Sequence, residues 1–422
     1  MMKLKMIYMF IMLSMLLNGT PFKVIDNIKE ASVLLKKTTK KTMKSFKSTK
    51  RNNDKFIKRY FGPWDLKRLS NSKRDAQWGN GYKNKKMYRR DGKRVRKSWF
   101  VKMIRKSNFS KYGKISKKAI MIKQSEIKVF PTKMEFYKNP KLLGEGYPFD
   151  YNMNSQVKLN VPVFVSHFSL DKKWVYVESP AVSGWVEYKD IGFVNKSFIK
   201  RFKTGKYYIN TKDKNIIKRN KKRFKEIKMG TLIPKVRKVF LSVIRTKKGF
   251  AEIVYIENSS FFKKLGLTMN YKNIKLIMEN LLNEPYGWGG KDNLRDCSLL
   301  TKDFFSSFGI FLERNSRGQA SQGKRHNLSK MNNSQKRAYI MKHGKPYTTL
   351  LYMSGHVMLY VGVLNGEPMI LHNAWTLKYN KNGKRVKRMV GRGVITTLLP
   401  GAKTVNDRYA ILSKLSKLVV LR

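Results

Sequence analysis

Apolar positions along this chain change their period twice, and each change marks a different kind of element. Phe56, Ile57, Tyr60 and Phe61 fall at helical spacing, which Gly62-Pro63 is expected to stop. Aromatic residues continue at wider intervals (Trp64, Trp78, Tyr82, Tyr88, Trp99, Phe100), as anchors of a small helical domain. From Ile127 the texture becomes short alternating runs. Pro162-Val-Phe-Val165, Trp174-Val-Tyr-Val177 and Gly184-Trp-Val-Glu-Tyr188 are separated by Ser179-Pro180 and Ser183-Gly184. Such closely spaced strands predict a small β-barrel of about 70 residues. A second set follows at Tyr207–Ile209, Gly230–Pro234, Val239–Ile244 and Phe250–Ile256, with Lys214 to Lys228 between them as a solvated basic loop. Then the helical period returns: Ile274, Ile277, Met278 and Leu281 share one face. A second helix is expected from Cys297 to Phe308, with Asp296 as N-cap and Gly309 as C′ residue. Gly355–Val363 and Met369–Asn373 read as strands of a hairpin turning at Leu364–Glu367, and Arg388–Leu399 as a further strand.

At 422 residues the chain exceeds one ordinary core. Its 92 Lys plus Arg against 26 Asp plus Glu give a net charge of +66, which favours a polyanionic partner: nucleic acid, an anionic membrane surface or acidic envelope polymers. Abundant Lys, Asn and Ile offer genome composition as an equal account of part of that charge. The N-terminus narrows the choice. Met1–Lys5 is short and basic, Met6–Leu17 is apolar, and Asn18-Gly-Thr-Pro21 breaks the run. This is the pattern of a secretory signal peptide at 1–19, too short to span a bilayer comfortably. No A-x-A site follows, which leaves an uncleaved anchor open. Export argues against nucleic acid. Residues 20–52 are expected to be a basic linker, because Lys36–Lys50 holds seven lysines in fifteen residues without an acid. The remaining divisions are a helical domain at 53–125, barrels at 126–198 and 199–260, and an α+β domain at 261–422.

The only cysteine, Cys297, follows a glycine-rich turn at the start of an apolar helix. Free N–H groups and the positive end of the helix dipole there favour a thiolate. A buried small hydrophobe is the plain alternative. His356 opens the next strand and His372 lies on its hairpin partner, so a thiol, a base and an orienting group occur in one domain. The hairpin register decides the third member. A two-residue Asn365-Gly366 turn puts Asn373 beside His356; a three-residue loop puts His372 there instead, and His372 is the preferred choice. Zinc finds no H-E-x-x-H or C-x-x-C spacing, and no G-x-S-x-G supports a serine nucleophile.

Tyr286-Gly-Trp-Gly-Gly, Asp296-Cys-Ser298 and Gly355-His-Val-Met-Leu-Tyr-Val-Gly362 resemble the NlpC/P60 family of papain-like cysteine peptidases, which cleave peptidoglycan stem peptides. Lys55–Trp64 is similar to the helical N-terminal stabilising domain of an SH3b-containing branch. Gly146-Tyr-Pro-Phe-Asp-Tyr151, Trp174–Pro180 and Gly184-Trp-Val186 look like its first bacterial SH3 domain. The resemblance implies an α+β multidomain protein: helices packed on an antiparallel sheet, preceded by two SH3b-like barrels and the helical domain. It implies Cys297 as nucleophile, His356 as base and His372 as orienting residue. Tyr286, with the Cys297 N–H, would face the oxyanion, and Asp296 and Ser298 would line the substrate side. The Asp150-Tyr151 loop would shape that side from the barrel. Leu299 replaces the family's usual glycine, which a helix tolerates. Asn315 follows Arg314 where relatives selective for a free L-alanine amine carry aspartate, so strict dependence on that amine is not expected. The implied activity is exported hydrolysis of a stem-peptide amide, before the diamino acid, by a monomer without cofactor. Its partners are peptidoglycan stem peptides, with anionic envelope polymers or a membrane surface held by the linker. The alternatives are a non-catalytic polycationic envelope binder and, third, a nucleic-acid binder.

Overall fold

The computed structural model describes residues 24–42, 49–381, 384–400, 405 and 407–421, so the expected leader at 1–19 lies outside it. Among the described residues no helix is long and apolar enough to cross a membrane.

The first barrel is a seven-stranded antiparallel sheet in the order Met153–Val157, Ser125–Lys128, Ser183–Glu187, Trp174–Glu178, Pro162–Phe168, Lys117–Met121, Ile191–Phe193. Lys117–Met121 pairs with Pro162–Phe168, so the barrel begins before residue 126 and inside the segment expected to be helical. Lysines at its exposed end masked this strand in the sequence, while Ala119, Ile120 and Met121 are buried.

The second unit orders Ala251–Ile256, Val239–Arg245, Leu232–Val236, Tyr207–Asn210 and Phe262–Lys264, which carries it past residue 260. The expected basic loop is a hairpin instead: Asn215–Arg219 pairs with Lys222–Ile227 around Asn220 and Lys221, both at positive φ. Ile217 and Ile227 are buried, while Lys218, Lys222 and Arg223 are exposed.

A helix over Lys50–Asp65 runs on through Gly62-Pro63 rather than stopping there. Proline in the last turn forfeits one hydrogen bond, which aromatic burial outweighs. Phe56, Tyr60, Phe61 and Trp64 are not the core of a separate domain: they pack with Ile120 of the first barrel and Ile209 and Leu232 of the second. Trp64 Nε1–H donates to the Ala119 carbonyl (2.7 Å) and Tyr60 O–H to the Asn160 carbonyl (2.9 Å).

The C-terminal domain packs the helix Cys297–Ser307 on a seven-stranded antiparallel sheet, with the helix Tyr271–Met278 against it. The sheet order is Val24–Ile25, Lys384–Thr397, Glu367–Lys381, His356–Leu364, Thr349–Met353, Lys417–Val420, Lys324–Asn327. Its first strand comes from the segment expected to be a linker. Val24 and Ile25 pair with Thr396 and Ile395, and Ile28–Thr42 is a helix. Ala31, Leu34 and Leu35 enter the core of this domain, while Lys36 and Lys37 stay exposed. Each fully buried leucine contributes about 1.5–3 kcal/mol, against a few tenths for repulsion between exposed helix lysines. Lysine density alone therefore misjudged this segment. Residues 43–48 of the expected linker lie outside those described.

Candidate active site

The glycine turn ahead of the cysteine is shaped by the first barrel. Gly289 and Gly290 hold φ of 66° and 90°. A Cβ on Gly290 would come within 2.7 Å of Gln156 Cγ, and one on Gly289 within 2.9 Å of Met153 Cγ. Both contacts belong to the barrel strand Met153–Val157.

Asp296 then ends the loop and caps the helix. Its Oδ1 accepts from Leu299 N (2.8 Å) and Ser298 Oγ (3.0 Å), and Oδ2 accepts from Gly289 N (3.1 Å). Arg314 clamps the same carboxylate through both terminal nitrogens (2.9 and 3.2 Å), and its Nη1 also donates to Ser298 Oγ (2.9 Å). Its Nε–H donates to Ser155 Oγ of the first barrel at 2.7 Å. The sequence marked Arg314 only as the neighbour of Asn315. Asn315 itself is exposed and spends its Oδ1 capping the short helix Ser316–Gln319 through Gly318 N (2.8 Å), so the arginine holds the cap of the Cys297 helix while the amide beside it faces solvent.

Arg295, on the other side of Asp296, is fully buried. It meets Asp303 (2.7 Å), Glu284 (2.8 Å) and Asp213 (2.6 and 2.9 Å). Asp303 also takes Lys158 of the first barrel and Glu284 takes Lys228 at 2.6 Å. The helix of Cys297 is thereby ion-paired to both barrels. Burial opposes ionisation of Asp213, but Arg295 prevails and holds its carboxyl down to about 2.

Cys297 opens the helix, 7% exposed, and a main-chain N–H of Val357 reaches its sulfur. The position at a helix N-terminus led us to expect a stabilised thiolate. Instead burial, followed by the Asp296 charge, pushes the thiol up to about 12. A buried thiolate would exchange water for apolar neighbours, and that penalty exceeds what two main-chain donors and the Arg314 charge return.

His356 Nε2 and His372 Nδ1 are 2.9 Å apart, and His372 Nε2 lies 3.2 Å from Thr396 Oγ1. The hairpin turn is the two-residue one, with Asn365 and Gly366 at positive φ and Leu364 opposite Glu367. By turn length alone Asn373 would share the face of His356. A β-bulge between Tyr360 and Gly362 shifts the register by one, so that His372 takes that place. Asn373 points away from it, and its Nδ2–H donates to the Arg295 carbonyl at 2.8 Å. Burial pushes half-buried His356 down to about 4 and keeps fully buried His372 well below the ordinary imidazole range.

Tyr286 is buried beside the thiol. Burial and then Cys297 raise its phenol, which keeps it protonated and able to donate. Its ring packs against Phe149 of the first barrel and Trp375 of the sheet, and Phe149 continues to Trp288 (5.2 Å) and Tyr151 lies 6.0 Å from Trp288. Trp288, Trp375 and Phe149 were not singled out from sequence, since only the assembled domains bring them together. Asp150 does not face this aromatic wall. It is fully buried, accepting from Asn152 N (2.8 Å) and Phe136 N (3.2 Å), with Lys128 Nζ at 3.5 Å, and so shapes its own loop.

A cysteine heading a helix that packs on an antiparallel sheet bearing paired imidazoles is the papain-like arrangement. Residues 283–392 match the NlpC/P60 family, residues 135–187 the SH3 domain of SH3b1 type, and residues 10–112 the N-terminal NLPC_P60 stabilising domain, so the chain has the NlpC/P60 fold with these two accessory domains. A solved structure reported as a novel NlpC/P60 endopeptidase from Photobacterium damselae subsp. piscicida is 24% identical, covers 88% of this chain and 92% of its own, and superposes with a TM-score of 0.79. An NlpC/P60 family protein from Bacillus cereus is 16% identical over 72% of this chain and 98% of its own, with a TM-score of 0.45. The peptidoglycan hydrolase RipB of Mycobacterium tuberculosis is 23% identical over 27% of this chain and 56% of its own, with a TM-score of 0.16. A search of the curated proteins finds no match.

Proposed function

We propose that this protein is an exported thiol endopeptidase that hydrolyses an amide bond of the peptidoglycan stem peptide, at the bond before the diamino acid. The observation that carries the reading is the 2.9 Å contact between His356 and His372, in the domain that places Cys297 at a helix N-terminus.

With the thiol up at about 12 and His356 down at about 4, the resting pair is neutral. His356 takes the S–H proton as the sulfur bonds to the scissile carbonyl carbon. The oxyanion accepts from the Cys297 main-chain N–H and from Tyr286. Collapse breaks the C–N bond, and the leaving amine departs with the proton from His356. A water gives a proton back to His356 and attacks the thioester, which releases the carboxylate and restores the thiol. This chemistry calls for no cofactor. Asp296 acts through Arg314 and the helix cap. Tyr151 and the Phe149–Trp288–Trp375 wall offer apolar surface to the peptide backbone. The charge of +66 favours retention near anionic envelope material, and residues 1–19 supply the export signal.

Digestion of defined muropeptides followed by mass spectrometry tests the reading. The expected products are a stub ending in D-glutamate and a fragment beginning with the diamino acid. Cleavage within the glycan, or products unchanged in the Cys297→Ala variant, would sink it.

A further inference from the structure

We infer that Thr396 is a positioning residue that sets the protonation pattern of the whole imidazole pair; the inference rests on the thiol mechanism proposed above. Thr396 is fully buried on the strand Lys384–Thr397, between Ile370 on one side and Val24 on the other. Its hydroxyl has two partners: the Thr397 carbonyl at 2.9 Å and His372 Nε2 at 3.2 Å. A hydroxyl carries one proton, and a carbonyl can only accept, so that proton is committed to Thr397. The hydroxyl oxygen must therefore accept from His372, which places the hydrogen of that ring on Nε2.

The rest follows from single occupancy. Burial keeps His372 neutral, so it carries one N–H and its Nδ1 is a bare lone pair. The 2.9 Å contact to His356 then needs a donor on the other side, and His356 Nε2 must hold the hydrogen. That leaves His356 Nδ1 unprotonated, as the nitrogen able to take a proton from Cys297. In the opposite arrangement Thr396 would donate to His372, His372 to His356, and His356 Nδ1 would already be protonated. The Thr397 carbonyl and Thr396 decide between an imidazole that can act as base and one that cannot. Val24, paired with Thr396, holds this strand from its outer side.

The experiment is two-bond 1H–15N correlation of the imidazoles in the 15N-labelled full chain, together with steady-state turnover of muropeptide. Wild type should show both His356 and His372 protonated on Nε2. Thr396→Val keeps the shape and removes the acceptor, so His372 should lose its single tautomer. Its kcat/KM should fall about tenfold through kcat, with KM within about twofold. Thr396→Ser restores the hydroxyl and should return both readouts, which separates the hydrogen bond from a packing or folding defect. A wild-type His372 protonated on Nδ1, or a Thr396→Val enzyme with wild-type tautomers and rate, overturns the inference. The tautomers are read without turnover. An inactive wild type with the expected tautomers would thus sink the proposed function and leave the role of Thr396 standing.

Discussion

Residues 295 and 297 stand two positions apart, yet each anchors a buried polar cluster that treats charge in the opposite way. Around Arg295 the contacts are ion pairs: a guanidinium, three carboxylates and two lysines tie the Cys297 helix to both barrels. Around Cys297 burial drives the thiol, both imidazoles and the Tyr286 phenol towards their neutral forms. Full charge suits a joint that never moves, because a buried ion pair is geometrically strict and expensive to break. Neutrality suits the thiol mechanism proposed above, in which no counter-ion has to be displaced before the sulfur attacks. Asp296 and Asn373 mark the border. Asp296 touches the electrostatics of Cys297 and His356 while its oxygens are held by Arg314; Asn373, next to His372, reaches back to the Arg295 carbonyl.

Substitutions should separate the two clusters. Cys297→Ala should lower turnover by at least about 10³-fold while leaving the urea midpoint in place; loss of stability of similar size would mean that the thiol is mainly a packing element. Arg295→Met should do the reverse, costing about 3–5 kcal/mol in urea unfolding because three carboxylates lose their shared cation. Turnover per folded molecule should survive. The pH dependence divides the same way. Asp213 is depressed in the fold, so its contribution is fully present above the unfolded pKa near 3.8 and is lost as pH falls through about 2. Stability should decline across that window in thermal melts, and the decline should be shallower in Asp213→Asn, the remainder belonging to other depressed carboxylates such as Asp303 and Glu187. For His356 the free base persists down to about pH 4. The acidic limb of kcat/KM should therefore lie near 4, and a limb at the ordinary 6.5 would contradict a desolvated base. The smallest effect belongs to Asn315→Ala. It should remove a helix cap worth about 0.5–1 kcal/mol and leave unchanged any preference between muropeptides with a free or a blocked L-alanine amine.

The site was legible in the sequence wherever spacing along one element carries the chemistry. Asp296, Cys297 and Gly309 fix the helix, and the two histidines fall on adjacent strands. It was not legible where a side chain is used from another element. The bulge at Val361 that brings His372 round, the two-sided use of Arg314 and the closure of Thr396 on His372 depend on register between strands and on domains meeting. The fold was misread where lysine density hid apolar positions. Ala31, Leu34 and Leu35 lie among cations, as do Ile217 and Ile227, and charge count conceals a period that burial reveals. For Asn315 the motif position alone carried the reading, and the structure adds that its Oδ1 caps the short helix Ser316–Gln319.

The strand Val24–Ile25 has a consequence for when the molecule becomes competent. Asp26 pairs with Arg392, 366 positions later, and Val24 pairs with Thr396. A ribosome adding roughly 5–20 residues per second needs on the order of 20–70 s to bridge that separation. Throughout that interval the two barrels can form from the chain already made, while Val24–Ile25 waits for the strand it pairs with. Assembly of this domain therefore waits on its last strands: Lys384–Thr397 takes Val24–Ile25 at its edge, and Lys417–Val420 enters between Thr349–Met353 and Lys324–Asn327. A molecule truncated before these strands cannot complete the sheet, so the domain closes as a late, all-at-once event rather than growing with chain length.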